Sequence, residues 1–284
     1  MSEKKDIVIR LKSMLYSNRL FTVGLCISIA FLLMALICPF IQQLNPHEID
    51  LTNKLEAPNK HHWFGTDTLG RDIFSRVLLG AKTSIITGII VIFLALIIGL
   101  PIGLVAGYYG GRTDIVLMRI ADIFLAFPPL LLPIAITAAL GPGLFNALIA
   151  LSISWFPWYA RIIRSSVMSV KKELYIKSSK AMGLHPLKII LRHILPNSIT
   201  PIIVQASMDF GYTILAAASL SFIGMGARPP TIEWGLMMTN SRAVFLEYWW
   251  TAFFPGCAIF LLVLGVNLLG DGIRDLLDPN YSDK

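Results

Sequence analysis

Charge is what this sequence has least of. Asp, Glu, Lys and Arg make up 14% of its 284 residues, against roughly 25% in soluble domains, and the mean hydropathy is +0.69. So few ions cannot cover a water-soluble surface, which excludes one large soluble core. The apolar–polar alternation of a transmembrane β-barrel is also missing. Cysteine is rare: Cys26, Cys38 and Cys257 fall inside or at the ends of apolar runs, where they read as small packing residues. Signatures of nucleotide and hydrolytic chemistry are absent as well. No Gly-Lys dipeptide occurs, so there is no G-x-x-x-x-G-K-[ST] phosphate loop. Neither H-E-x-x-H nor G-x-S-x-G is found, and His47-Glu48 is followed by Ile-Asp-Leu with no second histidine. Bound ATP is therefore not expected in this chain, nor is an intramembrane enzyme.

Long uncharged runs stand in place of those features. About 20 helical residues cross a bilayer core of about 30 Å. Leu20–Ile41, Thr83–Tyr109 and Tyr248–Gly270 are that long and carry no charge. Three further segments are less clean. Ile115–Leu140 holds Arg119 and Asp122, Leu144–Ala160 is short and followed by Arg161 and Arg164, and Ile199–Phe222 holds Asp209. Backbone groups in hydrocarbon find partners only in helices or closed barrels, so the expected fold is an all-α membrane protein with six transmembrane helices. The basic segment Met1–Arg19 has no small-residue cleavage site after it, and the first span is read as retained. With the N-terminus inside, 17 of the 24 Lys and Arg fall on the inner side and 7 on the outer. The positive-inside rule then puts both termini in the cytoplasm, and the net charge of +7 needs no nucleic-acid partner.

This topology makes Gln42–Lys82 and Gly224–Glu247 outer loops, Tyr109–Asp114 a tight inner turn, and residues 162–196 a long inner segment. Within the last, Glu173–Met182 is helix-compatible and Gly183 stops it. His185-Pro186 turns the chain, and Leu187, Ile190, Leu191 and Ile194 then fall on one side of a second helix. Pro196 is expected to separate that helix from the fifth span. Such a unit packs either on another protein or, as an amphipathic hairpin, on lipid headgroups.

The residues of this segment resemble the EAA loop in the permease subunits of bacterial ATP-binding cassette importers. That pattern runs Glu-Ala-Ala, three residues, Gly, nine residues, an apolar residue, one residue, Leu-Pro. Here Lys177-Ser178-Ser179 replaces Glu-Ala-Ala, Gly183, Leu195 and Pro196 are kept in the same spacing with His193 at the apolar place, and Ala181, Leu184 and Pro186 lie between them. The outer segment Gly65-Thr66-Asp67-Thr68-Leu69-Gly70-Arg71-Asp72 is similar to one found in the dipeptide/oligopeptide/nickel branch. So are Trp158–Arg161, Leu220–Gly226 and Asn267–Asp275. A short tail, one span and a long outer loop resemble the C-type member of the permease pair.

The resemblance implies a type I importer fold, arranged as a cytoplasmic tail (1–19), a first helix with its outer loop (20–81), a five-helix core (82–271) and a second tail (272–284). It implies a multi-pass protein of the bacterial cytoplasmic membrane, working with a second permease, two ATP-binding subunits that hold ATP and Mg, and an extracellular substrate-binding protein. Residues 177–196 would form the helix that couples to the ATPase. Gly65, Thr66, Asp67, Gly70, Arg71 and Asp72 would help form the platform for the binding protein. The same segment also has a structural reading, with Asp67 capping a short helix whose apolar face is Ile73, Val77 and Leu78. Asp209 is read either as a group of the translocation path or as a packing residue. It lies about 80° around the helix from Ala217, near which relatives often carry a glutamate. His61-His62 makes a weak metal site, and no metal is assigned. Trp249 and Trp250 fit an interfacial aromatic belt. Peptides, nickel or metal chelates remain open as cargo. An ion-driven secondary transporter is the alternative, although several intramembrane ions or paired broken helices are not evident.

Overall fold

Helices are the expected outcome of long uncharged runs, and in a computed structural model they account for every extended element. Residues 18–41 and 45–277 are described. Most of the basic tail 1–19 and the end of the tail 272–284 lie outside them. The elements are α1 (Arg19–Ile37), α2 (Ile73–Tyr109), α3 (Gly111–Leu125), α4 (Leu131–Leu140), α5 (Leu144–Val170), α6 (Leu174–Ala181), α7 (Pro186–Ile189), α8 (Leu195–Phe222), α9 (Trp234–Ser241) and α10 (Trp250–Leu277). Among the described residues there is no strand, and one isolated bridge joins Thr66 to Asp72.

Among the described residues four helical stretches are long and apolar enough to cross a membrane: Arg19–Phe40, Ile73–Tyr109, Pro186–Phe222 and Trp250–Leu276. They cover the first, second, fifth and sixth expected spans. The fourth lies within α5, which continues past Ala160 to Val170. The third, Ile115–Leu140, is divided between α3 and α4. Pro128-Pro129 sits in the break; two successive prolines remove two amide donors and push the residues before them out of the α region. The chain turns there, with Leu131 N–H donating to the Pro128 carbonyl at 3.0 Å.

The contacts group the chain into two units. One comprises residues 1–90, 137–148 and 207–284. Its core gathers Phe31 of α1, Ile73, Val77 and Ala81 of α2, Ile214 and Ala218 of α8, Trp234 of α9, and Ala258, Ile259 and Leu262 of α10. Helix α1 lies along α10, where Gly24 meets Leu268 and Gly265 meets Ile27 too closely for a Cβ. The other unit comprises residues 91–136 and 149–206. Here Gly99, Gly103 and Gly107, one helical turn apart on α2, lie against Phe156, Ala160 and Val167 of α5. A Cβ on Gly103 would stand 2.6 Å from the Ala160 carbonyl oxygen. Small residues at this spacing let two apolar helices approach where lipid supplies no hydrophobic drive.

Candidate functional site

The segment 162–196 is built up from the end of α5. Arg161 pairs with Asp122, and Arg164 clamps Asp114, its Nη2 reaching Asp114 Oδ2 at 2.5 Å. The hydrogen bond from Arg164 holds the Asp114 carboxyl below the usual carboxylate range. From Arg161 to Val170 the helix continues for about 14 Å. Lys171 closes that extension, its ammonium donating to the carbonyl of Tyr108 in the last turn of α2, where the helix dipole favours a cation. Burial, and then the neighbouring Lys180 ammonium, push the Lys171 pKa down. Lys180, on α6, lies over the Tyr108 ring at 4.8 Å. Sequence reasoning missed Tyr108 as the seat of both lysines, since nothing in the spacing joins residue 108 to residue 180.

Helix α6 ends as its glycine leads one to expect. Gly183 has φ +76°. Its N–H donates to the Lys180 carbonyl at 3.0 Å, and Leu184 N–H donates to Ser179 at 3.2 Å, the two bonds of a Schellman cap. No atom lies within 4 Å of a Cβ built on Gly183, so its requirement is conformational alone. Gly183→Ala is expected to destabilise this cap by about 1 kcal/mol, while Gly183→Asn, which tolerates the left-handed region, recovers most of it. Hydrogen exchange of the α6 amides in the purified chain checks this; equal protection in all three proteins would contradict it.

Beyond the cap the expected break at Pro196 does not occur. Helix α7 passes through a π-turn at Ile190–Ile194 directly into α8. Leu195 N–H bonds back to the Ile190 carbonyl, and Asn197 Nδ2 donates to His193 at 2.6 Å. The wider turn absorbs the amide that Pro196 lacks, so the proline marks a bulge and not an end. The expected apolar stripe also divides. Ile190 and Ile194 are buried, while Leu187 and Leu191 are exposed. On α6, Ile176 and Ser179 face inward, Ser179 satisfying its hydroxyl on the Tyr175 carbonyl at 2.7 Å. Lys177, Ser178, Ala181 and Gly183 are exposed, and Leu184 and Pro186 are half-buried.

The segment 65–72 turns out to be wired to its own neighbourhood. Thr66 is fully buried; its hydroxyl donates to the Asn53 carbonyl and accepts from Glu56 N–H at 2.8 Å. Gly65 and Gly70 are buried at φ +74° and +73°. Asp67 accepts from Leu69 N–H at 2.8 Å and from Arg71 Nε at 2.7 Å. The expected helix cap therefore moves: Asp72, not Asp67, caps α2, taking Ser75 N–H at 2.7 Å. Nor is there a separate short helix on the membrane surface, because Ile73 and Val77 are buried at the start of α2. His62 turns to Asp72, Nδ1 to Oδ1 at 3.0 Å, and His61 is exposed. Trp250 is buried, its Nε1 donating to the Thr66 carbonyl at 3.3 Å, which corrects the belt reading there; Trp249 is exposed.

Asp209 is half-buried in α8, and its carbonyl accepts from the Thr213 hydroxyl at 2.8 Å. A separate apolar cavity of about 500 Å³ opens among α8, α9 and α10, with Ser219 and Asn267 as the polar members of its lining. The structure brings residues 177–196 together in one hairpin and residues 65–72 into one turn, with Asp209 in neither.

Comparison with known proteins matches these features. Residues 99–283 match the family described as binding-protein-dependent transport system inner membrane component. Residues 10–58 match the N-terminal TM domain of oligopeptide transport permease C. The Dipeptide transport system permease protein DppC of Alkalihalophilus pseudofirmus is 49% identical over 93% of this chain and 87% of its own length. The probable D,D-dipeptide transport system permease protein DdpC of Escherichia coli is 46% identical over 95% and 91%. A glutathione transport system permease protein of Pectobacterium atrosepticum is 44% identical over 87% and 84%. A solved chain of the MetNI methionine ABC transporter in an inward-facing conformation superposes with a TM-score of 0.58, at 19% identity, over 71% of this chain and 96% of that one; this shows the shared fold. The all-helical architecture, the apolar spans and these matches agree: the chain is an integral membrane protein and belongs to the family of binding-protein-dependent transport system inner membrane components.

Proposed function

We propose that this chain is the permease subunit of an ATP-driven importer of short peptides, forming the translocation path with a second permease. The observation that carries this reading is the inner projection. Leu174, Met182 and Leu187, at 77%, 73% and 57% exposure, stand on a glycine-capped hairpin beyond the end of α5. Apolar side chains held there call for a protein cover, and the chain contains no phosphate loop of its own. Separate ATP-binding subunits, holding ATP and Mg, would close on each other and carry the hairpin with them. The helices joined to it would then switch the open side, a rigid-body change driven by different contacts in two states. The π-turn makes α7 and α8 one lever, so a push on the hairpin reaches the span directly.

Peptide cargo is supported by the names of the relatives, which transport dipeptides, D,D-dipeptides or glutathione. Delivery by an extracellular binding protein places a docking platform on the outer side. The buried Gly65, Thr66 and Gly70 would set its shape, and exposed neighbours such as Trp63 and Leu69 would make the contact. Asp209 supplies a polar group within the path. The inner-side excess of Lys and Arg supports the cytoplasmic membrane of a bacterium with both termini inside. An ion-driven carrier has no comparable support.

The test is uptake into proteoliposomes containing the chain, its second permease, the ATP-binding subunits and the binding protein. Dipeptide uptake is expected to require internal ATP and to survive collapse of ion gradients. Met182→Asp, which puts a charge into the apolar contact, is expected to cut uptake at least tenfold, a loss of about 1.4 kcal/mol or more in docking. Uptake by the chain alone, driven by an ion gradient, would refute the reading.

A further inference from the structure

The charge around the inner projection identifies the chemistry of the surface that covers it. Between residues 171 and 192 the sequence has six cations, Lys171, Lys172, Lys177, Lys180, Lys188 and Arg192, and one acid, Glu173. Lys171 and Lys180 are occupied by Tyr108. Lys172, Lys177, Lys188 and Arg192 are exposed, and none of them forms an ion pair among the described residues. Lys177 shares the outward side of α6 with Leu174, Ser178 and Ala181, at the three- and four-residue spacings that align side chains. Ile176 and Ser179 occupy the inward side. Exposed cations therefore ring the exposed apolar residues.

We propose that this projection docks into an acid-rimmed cleft of the ATP-binding subunit, with carboxylates facing Lys177 and Lys188. The proposal rests on the reading above that such a subunit covers the hairpin, and adds which chemistry its cleft presents. Anionic lipid is the other class of surface that attracts lysines and apolar side chains together. Family membership favours protein: the chain matches a binding-protein-dependent transport system component, and Lys171 and Lys180 hold the hairpin against the end of α2 while Leu174, Met182 and Leu187 stay exposed. In a protein cleft the apolar residues supply the contact area, while the cation ring orients the approach and rejects a basic partner.

The experiment uses the permease pair in nanodiscs and measures binding of its purified ATP-binding subunit over a range of salt. Lys177→Glu/Lys188→Glu is expected to weaken binding at least tenfold at low salt, since like charges then meet across the contact. Lys177→Gln/Lys188→Gln is expected to weaken it less and to flatten the salt dependence. Restoring tight binding to the Glu variant by turning the facing carboxylates of the ATP-binding subunit to lysine would confirm the pairing and show that the variant is folded. Unchanged binding of the Glu variant, or failure of that reversal to restore it, overturns the acidic rim. So does a loss seen only in discs containing phosphatidylglycerol and not in phosphatidylcholine, which would assign the lysines to lipid. If the unmodified permease pair binds no ATP-binding subunit at any salt, the permease reading itself fails, an outcome distinct from the others.

Discussion

Trp234→Ala is expected to destabilise the folded chain by about 3–5 kcal/mol, the range for emptying a fully packed aromatic site. Trp234 has no exposed surface. Its indole sits edge-on to Phe31 of α1, ring centres 5.7 Å apart, and its Nε1 donates to the Val77 carbonyl of α2 at 2.9 Å. A Cβ on Gly80 would stand 2.9 Å from the ring, so only glycine leaves room for it. The residue before it fixes the ring's position. Glu233 caps α9 with both oxygens, taking Gly235 N–H at 2.8 Å and Leu236 N–H at 2.9 Å. Burial raises the Glu233 pKa, and these amide bonds counter the rise. One side chain thus ties α1, α2 and α9 together, and truncation leaves a cavity that three helices border. Trp234→Phe keeps most of the volume and loses the hydrogen bond, so it is expected to cost about 1 kcal/mol. The melting midpoint of the purified chain in detergent, with its abundance in membranes, decides the matter. An alanine variant that melts with the wild type would show that the site collapses around the loss.

Most of the architecture was legible because hydrocarbon permits so few solutions. Three uncharged runs could only be helices, and each is helical over nearly all of its length. What the sequence hid was where helices continue or stop at proline. Pro128-Pro129 lies in an uncharged run that length alone reads as a span, and the break follows from the missing donors of both residues. A proline pair is a turn signal that run length overrides if read first. Pro196 misleads in the opposite direction. The single missing amide is absorbed by a π-turn, which depends on the ladder as a whole and not on the residue. The three glycines of α2 at four-residue spacing are a packing signal present in the sequence, masked by the uniform apolar run around them.

The candidate sites divide in the same way. Gly183 could be read locally, since a Schellman cap involves only residues within one turn. The seat of Lys171 and Lys180 on Tyr108 could not, because it joins positions about 60 and 70 residues apart. Asp67 and Asp72 were both plausible caps by residue type, and the choice rests on where α2 starts. Trp250 shows the limit of composition: beside exposed Trp249 it reads as an interfacial ring, yet a hydrogen bond to buried Thr66 places it in the core.

Gly70→Ala is expected to cost about 2–6 kcal/mol and to open the turn of residues 65–72, because two independent requirements meet at this residue. The backbone stands at φ +73°, a region that costs an ordinary residue about 1–3 kcal/mol. In addition a Cβ there would overlap the Asp50 carbonyl oxygen and lie 2.5 Å from its carbon, and relieving such a clash costs about 1–3 kcal/mol more. The Asp50 carbonyl is not free to retreat. It accepts from Asn53 N–H at 3.2 Å, while the Asp50 side chain takes Thr52 N–H at 3.0 Å. The next link is the Asn53 carbonyl, which receives the Thr66 hydroxyl at 2.5 Å, and the Thr66 carbonyl in turn holds the indole of Trp250. Displacement at Asp50 therefore passes along one chain of bonds to the start of α10. Protease added to right-side-out vesicles is expected to cut the Gly70→Ala outer loop at least tenfold faster than that of the wild type, with a matching fall in uptake driven by the binding protein. Asparagine separates the two requirements. At Gly183, where only φ is demanding, asparagine is expected to recover the cap; at Gly70 its Cβ meets the same carbonyl, so Gly70→Asn is expected to fail as alanine does. Recovery by Gly70→Asn would show that conformation alone governs this turn and that the contact with Asp50 yields.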